Sequence, residues 1–184
     1  GVSKILSTYR AYAALKDDGS VVTWGSSSVG GDSSSVSSSL SSGVSRIYSN
    51  DNAFAALKDD GSVVTWGNGS YGGDSSSVSS SLSSGVSQVF SNEYAFAALK
   101  DDGSVVTWGN GSYGGDSSSV SSSLNSGVVG LASILTNDIF NLNPTISGVS
   151  SSTANGSYKV GDSITINVAF TEAVTVDTTN GTPT

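Results

Sequence analysis

Paired carboxylates are the first residues of this sequence whose type and spacing could do chemistry. The pairs are Asp17-Asp18, Asp59-Asp60 and Asp101-Asp102, and they recur every 42 residues (59 − 17 = 42; 101 − 59 = 42). Carboxylate oxygens can bind a hard cation such as Ca²⁺, which takes about six to eight oxygen ligands. Each pair offers only its own two carboxylates, so we expect these aspartates to shape turns and to keep the surface soluble.

Tryptophans at the same period are the other residues that could bind a ligand, because an indole face can stack on a sugar ring. Trp24, Trp66 and Trp108 each precede a glycine. An aromatic side chain at the end of an element buries a large area, so we expect these indoles to pack between repeat units instead. Tyr71 and Tyr113 are the better exposed candidates for stacking, although the sequence identifies no polar partner for them.

The side chains on which most catalytic sites depend are missing. The chain has no Cys and no His, which excludes thiolate and imidazole catalysis and zinc sites of the Cys or His type. Serine is abundant, but no base is available to activate it. The formal net charge is −8 with seven basic residues and no basic stripe, which argues against a nucleic-acid partner. No apolar run approaches the roughly 20 residues of a membrane span. Because the side chains that most catalytic sites need are missing, we predict no enzymatic activity.

The elements that must position these residues are β-hairpins. The stretch Ala53–Gly67 reads AFAALKDDGSVVTWG, returns unchanged at Ala95–Gly109, and returns at Ala11–Gly25 with Tyr12 in place of Phe. Two apolar runs flank Asp-Gly, and this combination is a strong hairpin signal. The runs are nearly continuous, which favours strands covered on both faces. A helix over Ala-Ala-Leu-Lys is the alternative, and the β-branched second run argues against it.

A serine-rich segment closes each unit and leaves two interpretations open. In the segment from Asp74 to Gly85, Val78 and Leu82 lie four residues apart. With Asp74 as N-cap and Gly85 at the C′ position, this spacing predicts one or two helical turns. Serine is a weak helix former, so a loop anchored by Val78 and Leu82 fits the pattern equally well.

These patterns divide the chain into three parts. Residues 1–126 form three repeat units, 1–42, 43–84 and 85–126. Residues 127–144 are interpreted as a terminal cap and linker, and residues 145–184 as a separate, incomplete β-module. In this module Ser163–Phe170 alternates apolar with polar or small residues, which predicts a half-buried strand. The predicted fold class is therefore all-β throughout.

Residues 1–126 resemble the regulator-of-chromosome-condensation repeat family, whose members are β-propellers. The shared pattern is Gly85-Val86 with Val89 beyond, then Ala97 and Leu99, Asp102-Gly103, Val105-Val106, Trp108-Gly109-Asn110 and Tyr113-Gly114. The resemblance implies tandem propeller-like hairpin repeats that form an open arc of about three blades, since a closed propeller needs about four to eight. The Gly-Gly-Asp that follows Tyr71 or Tyr113 departs from the family's Gln-Leu-Gly, and we do not carry over the family's exchange-factor activity.

The C-terminal module looks like the start of a bacterial immunoglobulin-like or cadherin-like surface module, with a partial β-sandwich. The matching text runs from Tyr158-Lys159-Val160-Gly161-Asp162 to Phe170-Thr171-Glu172-Ala173-Val174. Cadherin-like arrays hold calcium between modules, so the resemblance implies that Asp162, Glu172 and Asp177 are candidate calcium ligands. The alternative is that these carboxylates are solvated turn residues. Calcium is the only cofactor that the sequence suggests.

Both resemblances imply a non-enzymatic structural or adhesive repeat segment of a large bacterial protein, located outside the cell or on its surface. The expected partners are neighbouring repeats of the same or a like chain, together with a surface glycan or protein. The alternative is a ligand-binding propeller fragment that reads a glycan or a protein through the loops of one face. An aromatic groove with convergent polar side chains would favour this second function.

Overall fold

The structure is a computed structural model that describes residues 1–130, 146–151, 159–160, 162–163 and 165–170. The chain separates into two compact regions, Gly1–Leu131 and Ala132–Thr184. Each region is described by itself below. The finer boundaries that the sequence suggests, at residues 126 and 144, stay a prediction.

The first region consists of three sheets of the same design. Each sheet has three antiparallel strands that follow one another in chain order. The strands are β1 (Val2–Ser7), β2 (Ala11–Lys16) and β3 (Val21–Gly25), then β4 (Val44–Ser49), β5 (Ala53–Lys58) and β6 (Val63–Gly67), then β7 (Val86–Ser91), β8 (Ala95–Lys100) and β9 (Val105–Gly109). The predicted all-β fold with propeller-like repeats is confirmed, and each sheet is called a blade from here on.

The Asp-Asp-Gly segment makes the hairpin turn of each blade, as predicted. In the second blade the Lys58 amide donates to the Ser62 carbonyl at 2.9 Å, and Gly61 adopts a φ of +75°. One carboxylate oxygen of Asp60 accepts hydrogen bonds from the Ser62 amide at 2.9 Å and from the Ser62 hydroxyl at 2.6 Å. The sequence places Gly where φ is positive and Asp where its oxygen can replace a backbone acceptor, so the turn is fixed locally.

The segments that follow the third strand of each blade contain short 3₁₀ helices joined by turns. The helices are Ser27–Val29, Ser34–Val36, Gly69–Tyr71, Ser76–Val78, Gly111–Tyr113 and Ser118–Ser123. Ser75 rather than Asp74 is the N-cap residue of the fourth of these, although the Asp74 carboxylate accepts from the Ser76 amide at 2.9 Å. Leu82 is buried and anchors the segment, while Val78 packs against the core more loosely. The C-cap residue is Ser79, so the prediction of Gly85 at the C′ position is wrong. Each of the two interpretations, a helical turn and an anchored loop, is therefore correct in part.

Two apolar cores lie between blades, not within them. The forward face of one blade packs on the rear face of the next. At the first junction the forward face contributes Ala11, Ala13, Leu15 and Leu40, and the rear face contributes Val44, Ile47, Phe54, Ala56 and Trp66. The second junction repeats the same positions 42 residues later, from Ala53 to Trp108. Backbone bonds join successive blades as well: Val44 N–H donates to Gly19 O at 3.0 Å, and Val86 N–H donates to Gly61 O at 2.9 Å.

The second compact region contains one described pair of antiparallel strands, β10 (Ile146–Ser151) and β11 (Ile166–Phe170). Ile146 pairs with Phe170 and Ser151 pairs with Ile166. The predicted strand Ser163–Phe170 therefore begins later than expected, and the immunoglobulin-like module stays a prediction. The predicted cap and linker lie mostly outside the described residues. Within the described part of the chain, no helix has the length and apolar character to cross a membrane.

Candidate binding surface

The tryptophans lie in two different environments. Trp66 and Trp108 are 3% and 2% exposed, which confirms their predicted core role. The indole N–H of Trp66 donates to the Gly30 carbonyl at 3.1 Å, and that of Trp108 donates to the Gly72 carbonyl at 3.1 Å. Trp24 contradicts the prediction, because it is 44% exposed. It lies on the rear face of the first blade, which no earlier repeat covers within these 184 residues.

The second aspartate of each pair bonds within its own turn, whereas the Asp17 carboxylate of the first pair accepts from the Gly1 ammonium at 2.6 Å. Asp18, Asp60 and Asp102 each accept two hydrogen bonds from the serine two residues later, and these bonds hold the pKa of Asp60 and Asp102 below the usual value. For Asp18 the Lys16 ammonium, 2.8 Å away, is the main cause of the lowered pKa. Among the described residues, no three acidic side chains come together in a way that could hold a metal ion.

Of the three predicted calcium ligands of the C-terminal module, only Asp162 lies within the described residues. The Asp162 carboxylate accepts a hydrogen bond from the Lys159 amide at 2.9 Å, and the Asp162 amide donates to the Lys159 carbonyl at 3.1 Å. Asp162 is exposed, so its observed contacts are those of a solvated turn residue. Glu172 and Asp177 lie outside the described residues, and their role stays a prediction.

A row of loops forms one edge of the blades and carries the best candidate for ligand binding. This loop edge comprises residues 8–10, 50–52 and 92–94, which connect the first two strands of each blade. Tyr9 N–H donates to Asp51 O at 2.9 Å, and Asp51 N–H donates to Glu93 O at 3.4 Å. Because each bond joins equivalent positions of neighbouring blades, the side chains of Tyr9, Asp51 and Glu93 follow one another along the edge.

The amide side chains of the buried Asn50 and the exposed Asn92 hold the loop edge in place. The Asn50 side-chain oxygen accepts from the amides of Asn52 at 2.8 Å and Ala53 at 2.7 Å, and its NH₂ donates to the Tyr71 carbonyl at 2.7 Å. Asn92 repeats these contacts in the third blade and donates to the Tyr113 carbonyl at 2.7 Å. One side chain thus fixes both the loop edge and the neighbouring Gly-Ser-Tyr turn.

Three tyrosines meet beside this edge. The Tyr71 and Tyr94 ring centroids are 5.2 Å apart with the rings tilted by 43°, and the Tyr94 and Tyr113 centroids are 4.6 Å apart in an edge-to-face arrangement. These spacings are those of favourable aromatic contacts. Tyr113 is 53% exposed, while Tyr71 and Tyr94 are half-buried. We call Tyr71, Tyr94 and Tyr113 the tyrosine cluster.

The tyrosine cluster lies in a negative field. The Glu93 carboxylate is the main cause of a raised pKa for Tyr94, and burial, Tyr113 and the Asp51 carboxylate add to the effect. A negative potential disfavours a tyrosinate in the same way as it disfavours any anionic ligand. The sequence singled out Tyr71 and Tyr113 but missed Tyr94. The third blade has Glu93-Tyr94 where the first has Tyr9-Arg10 and the second has Asp51-Asn52. This difference between the repeats was the signal that could have identified Tyr94.

One family model matches part of the chain. Residues 86–114, within the third blade, match the model described as Regulator of chromosome condensation (RCC1) repeat. The other two blades share the strand order and the Trp-Gly ending of the third. The third blade therefore resembles a repeat of this family, and the family match does not extend to the other two blades. No curated protein matches the chain.

Several solved structures are similar to the chain. Prp20p from Saccharomyces cerevisiae, whose binding properties to Gsp1p and histones have been described, is 17% identical with a TM-score of 0.41 over 59% of this chain and 30% of that one. Human WBSCR16 is 22% identical, with a TM-score of 0.39 over 59% and 34%. The CRINKLY WD40 ectodomain of the receptor kinase ACR4 from Arabidopsis thaliana is 18% identical, with a TM-score of 0.37 over 59% and 36%. The match therefore spans about a third of the length of each of these structures.

Proposed function

We propose that this chain is a non-enzymatic structural and adhesive repeat segment of a large bacterial protein that acts outside the cell or on its surface. The observation that carries the proposal is that the two blade junctions use the same contacts. Besides the two indole bonds to glycine carbonyls, Lys58 Nζ donates to Ser39 O at 2.7 Å and Lys100 Nζ donates to Ser81 O at 2.8 Å. One interface that serves every junction is the economical way to build a long repeat array.

The rear face of the first blade supports neighbouring repeats as partners. Its exposed apolar side chains occupy the positions that are wholly or partly buried at both junctions. These residues are Val2, Ile5, Tyr12, Val22 and Trp24. A contiguous apolar face of this kind marks an interaction site. The partner with the best complementarity is the forward face of a further repeat of the same or a like chain, because that surface already covers Phe54 and Phe96.

The surface chemistry supports a structural role more than a catalytic one. Charged residues make up 12% of the chain, and serine and glycine fill much of its exterior. Without histidine or cysteine the chain has neither an imidazole base nor a thiolate nucleophile. An extracellular location agrees with the surface-module resemblance of residues 145–184. Antibody labelling of intact producing cells tests this location, and labelling only after lysis would contradict it.

Adding a repeat tests the stacking role directly. A copy of residues 43–84 fused ahead of Gly1 places a forward face against Trp24. We expect a higher free energy of unfolding and a blue shift of the Trp24 emission, because the indole moves from water into a junction. The control is Trp24→Ala in both the fusion and the original chain. The substitution should cost more stability in the fusion, and equal costs in the two proteins would contradict stacking.

A further inference from the structure

The loop edge presents one exposed side chain from each blade at equivalent positions. This repetition favours a ligand that is itself built from repeating units. Tyr9, Asp51 and Glu93 are exposed and belong to successive blades that are joined directly by backbone hydrogen bonds of 2.9 and 3.4 Å. Side chains repeated along a line can contact successive units of a linear polymer.

The aromatic part of the surface is held rigidly before any ligand arrives. Tyr94 packs between Tyr71 and Tyr113, with centroid distances of 5.2 and 4.6 Å. The backbones of Tyr71 and Tyr113 are fixed by the Asn50 and Asn92 side chains at 2.7 Å. A preorganised surface loses little conformational entropy on binding. The exposed part of the Tyr113 ring is therefore available as a flat platform next to Tyr94.

We propose that the loop edge and the tyrosine cluster bind an uncharged, linear oligosaccharide. A pyranose ring has an apolar C–H face that packs on the Tyr113 ring, and its hydroxyl groups donate to the carboxylates of Asp51 and Glu93. A few polar groups beside aromatic side chains are the usual composition of a ligand site. The carboxylates exclude sulfated, phosphorylated and uronic-acid polymers by charge repulsion, and the raised pKa of Tyr94 agrees with this negative field.

A protein partner fits the surface less well. The Glu93 and Asp51 carboxylates lie near Tyr94, whereas the core of a protein interface is depleted of charged residues. A continuous exposed apolar face exists elsewhere, on the rear of the first blade around Tyr12 and Trp24. The oligosaccharide site deepens the adhesive part of the proposed function and rests on it. Stacking of blades uses other faces, so the two ideas can fail separately.

Titration of the 184-residue protein with neutral hexasaccharides tests the proposal. The probes are cellohexaose, maltohexaose, xylohexaose and chitohexaose, followed by isothermal calorimetry and by NMR of the tyrosine ring protons. At least one probe should bind, and Tyr113→Ala should weaken its affinity at least about tenfold, since a stacked ring and its buried area are lost. Tyr113→Phe keeps the ring face and should change the affinity less than about threefold.

Two controls separate this site from the rest of the molecule. Tyr12→Ala removes another exposed tyrosine, on the rear face of the first blade, and should leave the affinity unchanged. Polygalacturonate and heparin should not bind, and Glu93→Gln should weaken binding of the neutral probe. Absence of binding by every neutral probe at millimolar concentration, preference for the charged polymers, or an unchanged affinity of Tyr113→Ala would each overturn the proposal. The unfolding free energy of the fusion with an added repeat would still report on stacking.

Discussion

The first blade and the two that follow it have nearly the same sequence but different surroundings. Trp24 is 44% exposed, whereas Trp66 and Trp108 are 3% and 2% exposed. Each indole stacks on the aromatic side chain of its own hairpin in the same way, with Tyr12 and Trp24 at 5.3 Å and Phe54 and Trp66 at 5.1 Å. The local structure of a blade is therefore complete without a neighbour. Burial of the aromatic pair is a property of the junction, not of the blade.

The same lesson holds for a charged side chain. Lys58 reaches back to the preceding blade, where its ammonium donates to the Ser39 carbonyl at 2.7 Å. Lys16, at the same position of the first blade, donates instead to the Asp18 carboxylate of its own turn at 2.8 Å. The lysine at this position therefore bonds an aspartate of its own turn when no earlier blade is present. It bonds a backbone carbonyl of the earlier blade when there is one.

The largest expected effect is the loss of a junction tryptophan. Trp66→Ala should lower the free energy of unfolding by about 3–5 kcal/mol, the usual cost of a buried aromatic. Trp24→Ala should cost about 0.5–1.5 kcal/mol, because it removes a half-exposed ring and one stacking contact. Urea unfolding followed by circular dichroism measures both. Equal costs would show that the indoles stabilise their own hairpins and would break the comparison between blades.

A glycine pair isolates the junction contact more sharply. Gly72 and Gly114 occupy the same position in successive blades, with φ of +98° and +91°. A Cβ atom on Gly72 would lie 2.6 Å from the Phe96 ring, whereas on Gly114 its nearest neighbour would be the Asn92 side chain at 3.8 Å. Backbone strain is common to both, so Gly72→Ala should cost about 1–3 kcal/mol more than Gly114→Ala through overpacking. Identical midpoints of denaturation would contradict close packing at the junction.

Much of this architecture could be predicted from the sequence because its determinants are local. Gly61 and Asp60 fix the turn within one hairpin, and the 42-residue period from Trp24 to Trp108 reveals the repeat. Burial of Trp66 followed from the size of an indole in a repeated apolar unit. These inferences need no knowledge of which blade lies against which.

The remaining features depend on contacts between distant residues. The exposure of Trp24 follows from the direction of stacking, and a repeated sequence does not say which of its two faces stays open at the first unit. The tyrosine cluster joins Tyr71 of one blade to Tyr94 and Tyr113 of the next. The clamp from Asn92 to the Tyr113 carbonyl spans 21 residues. Of these contacts only the one between Tyr71 and Tyr94 requires stacked blades, whereas the clamp from Asn92 lies within the third blade.

A smaller effect is expected where one junction carries a polar atom that the matching position lacks. The Tyr48 hydroxyl is buried and has no hydrogen-bond partner among the described residues, while Phe90 takes the equivalent place in the third blade. Tyr48→Phe should therefore raise the free energy of unfolding by about 1 kcal/mol, since it removes an unsatisfied group. Thermal unfolding measures the gain, with Phe90→Tyr, at the matching position outside both junctions, as a control that should change stability little. A loss of stability in Tyr48→Phe would indicate that the hydroxyl is satisfied in solution.

The smallest effect concerns the exposed turn aspartates and appears as a pH dependence. The pKa of Asp60 is lowered chiefly by the Ser62 hydroxyl, so its contribution to stability is present above the unfolded value of about 3.9 and is lost as the pH falls through the lowered pKa. Asp60→Asn should flatten the acid limb of stability against pH. Urea midpoints between neutral and strongly acidic pH measure the slopes. Asp18→Asn should flatten the acid limb as well, because the Lys16 ammonium lowers the pKa of Asp18. An unaltered acid limb in both variants would show that the turns contribute nothing to the acid sensitivity of the protein.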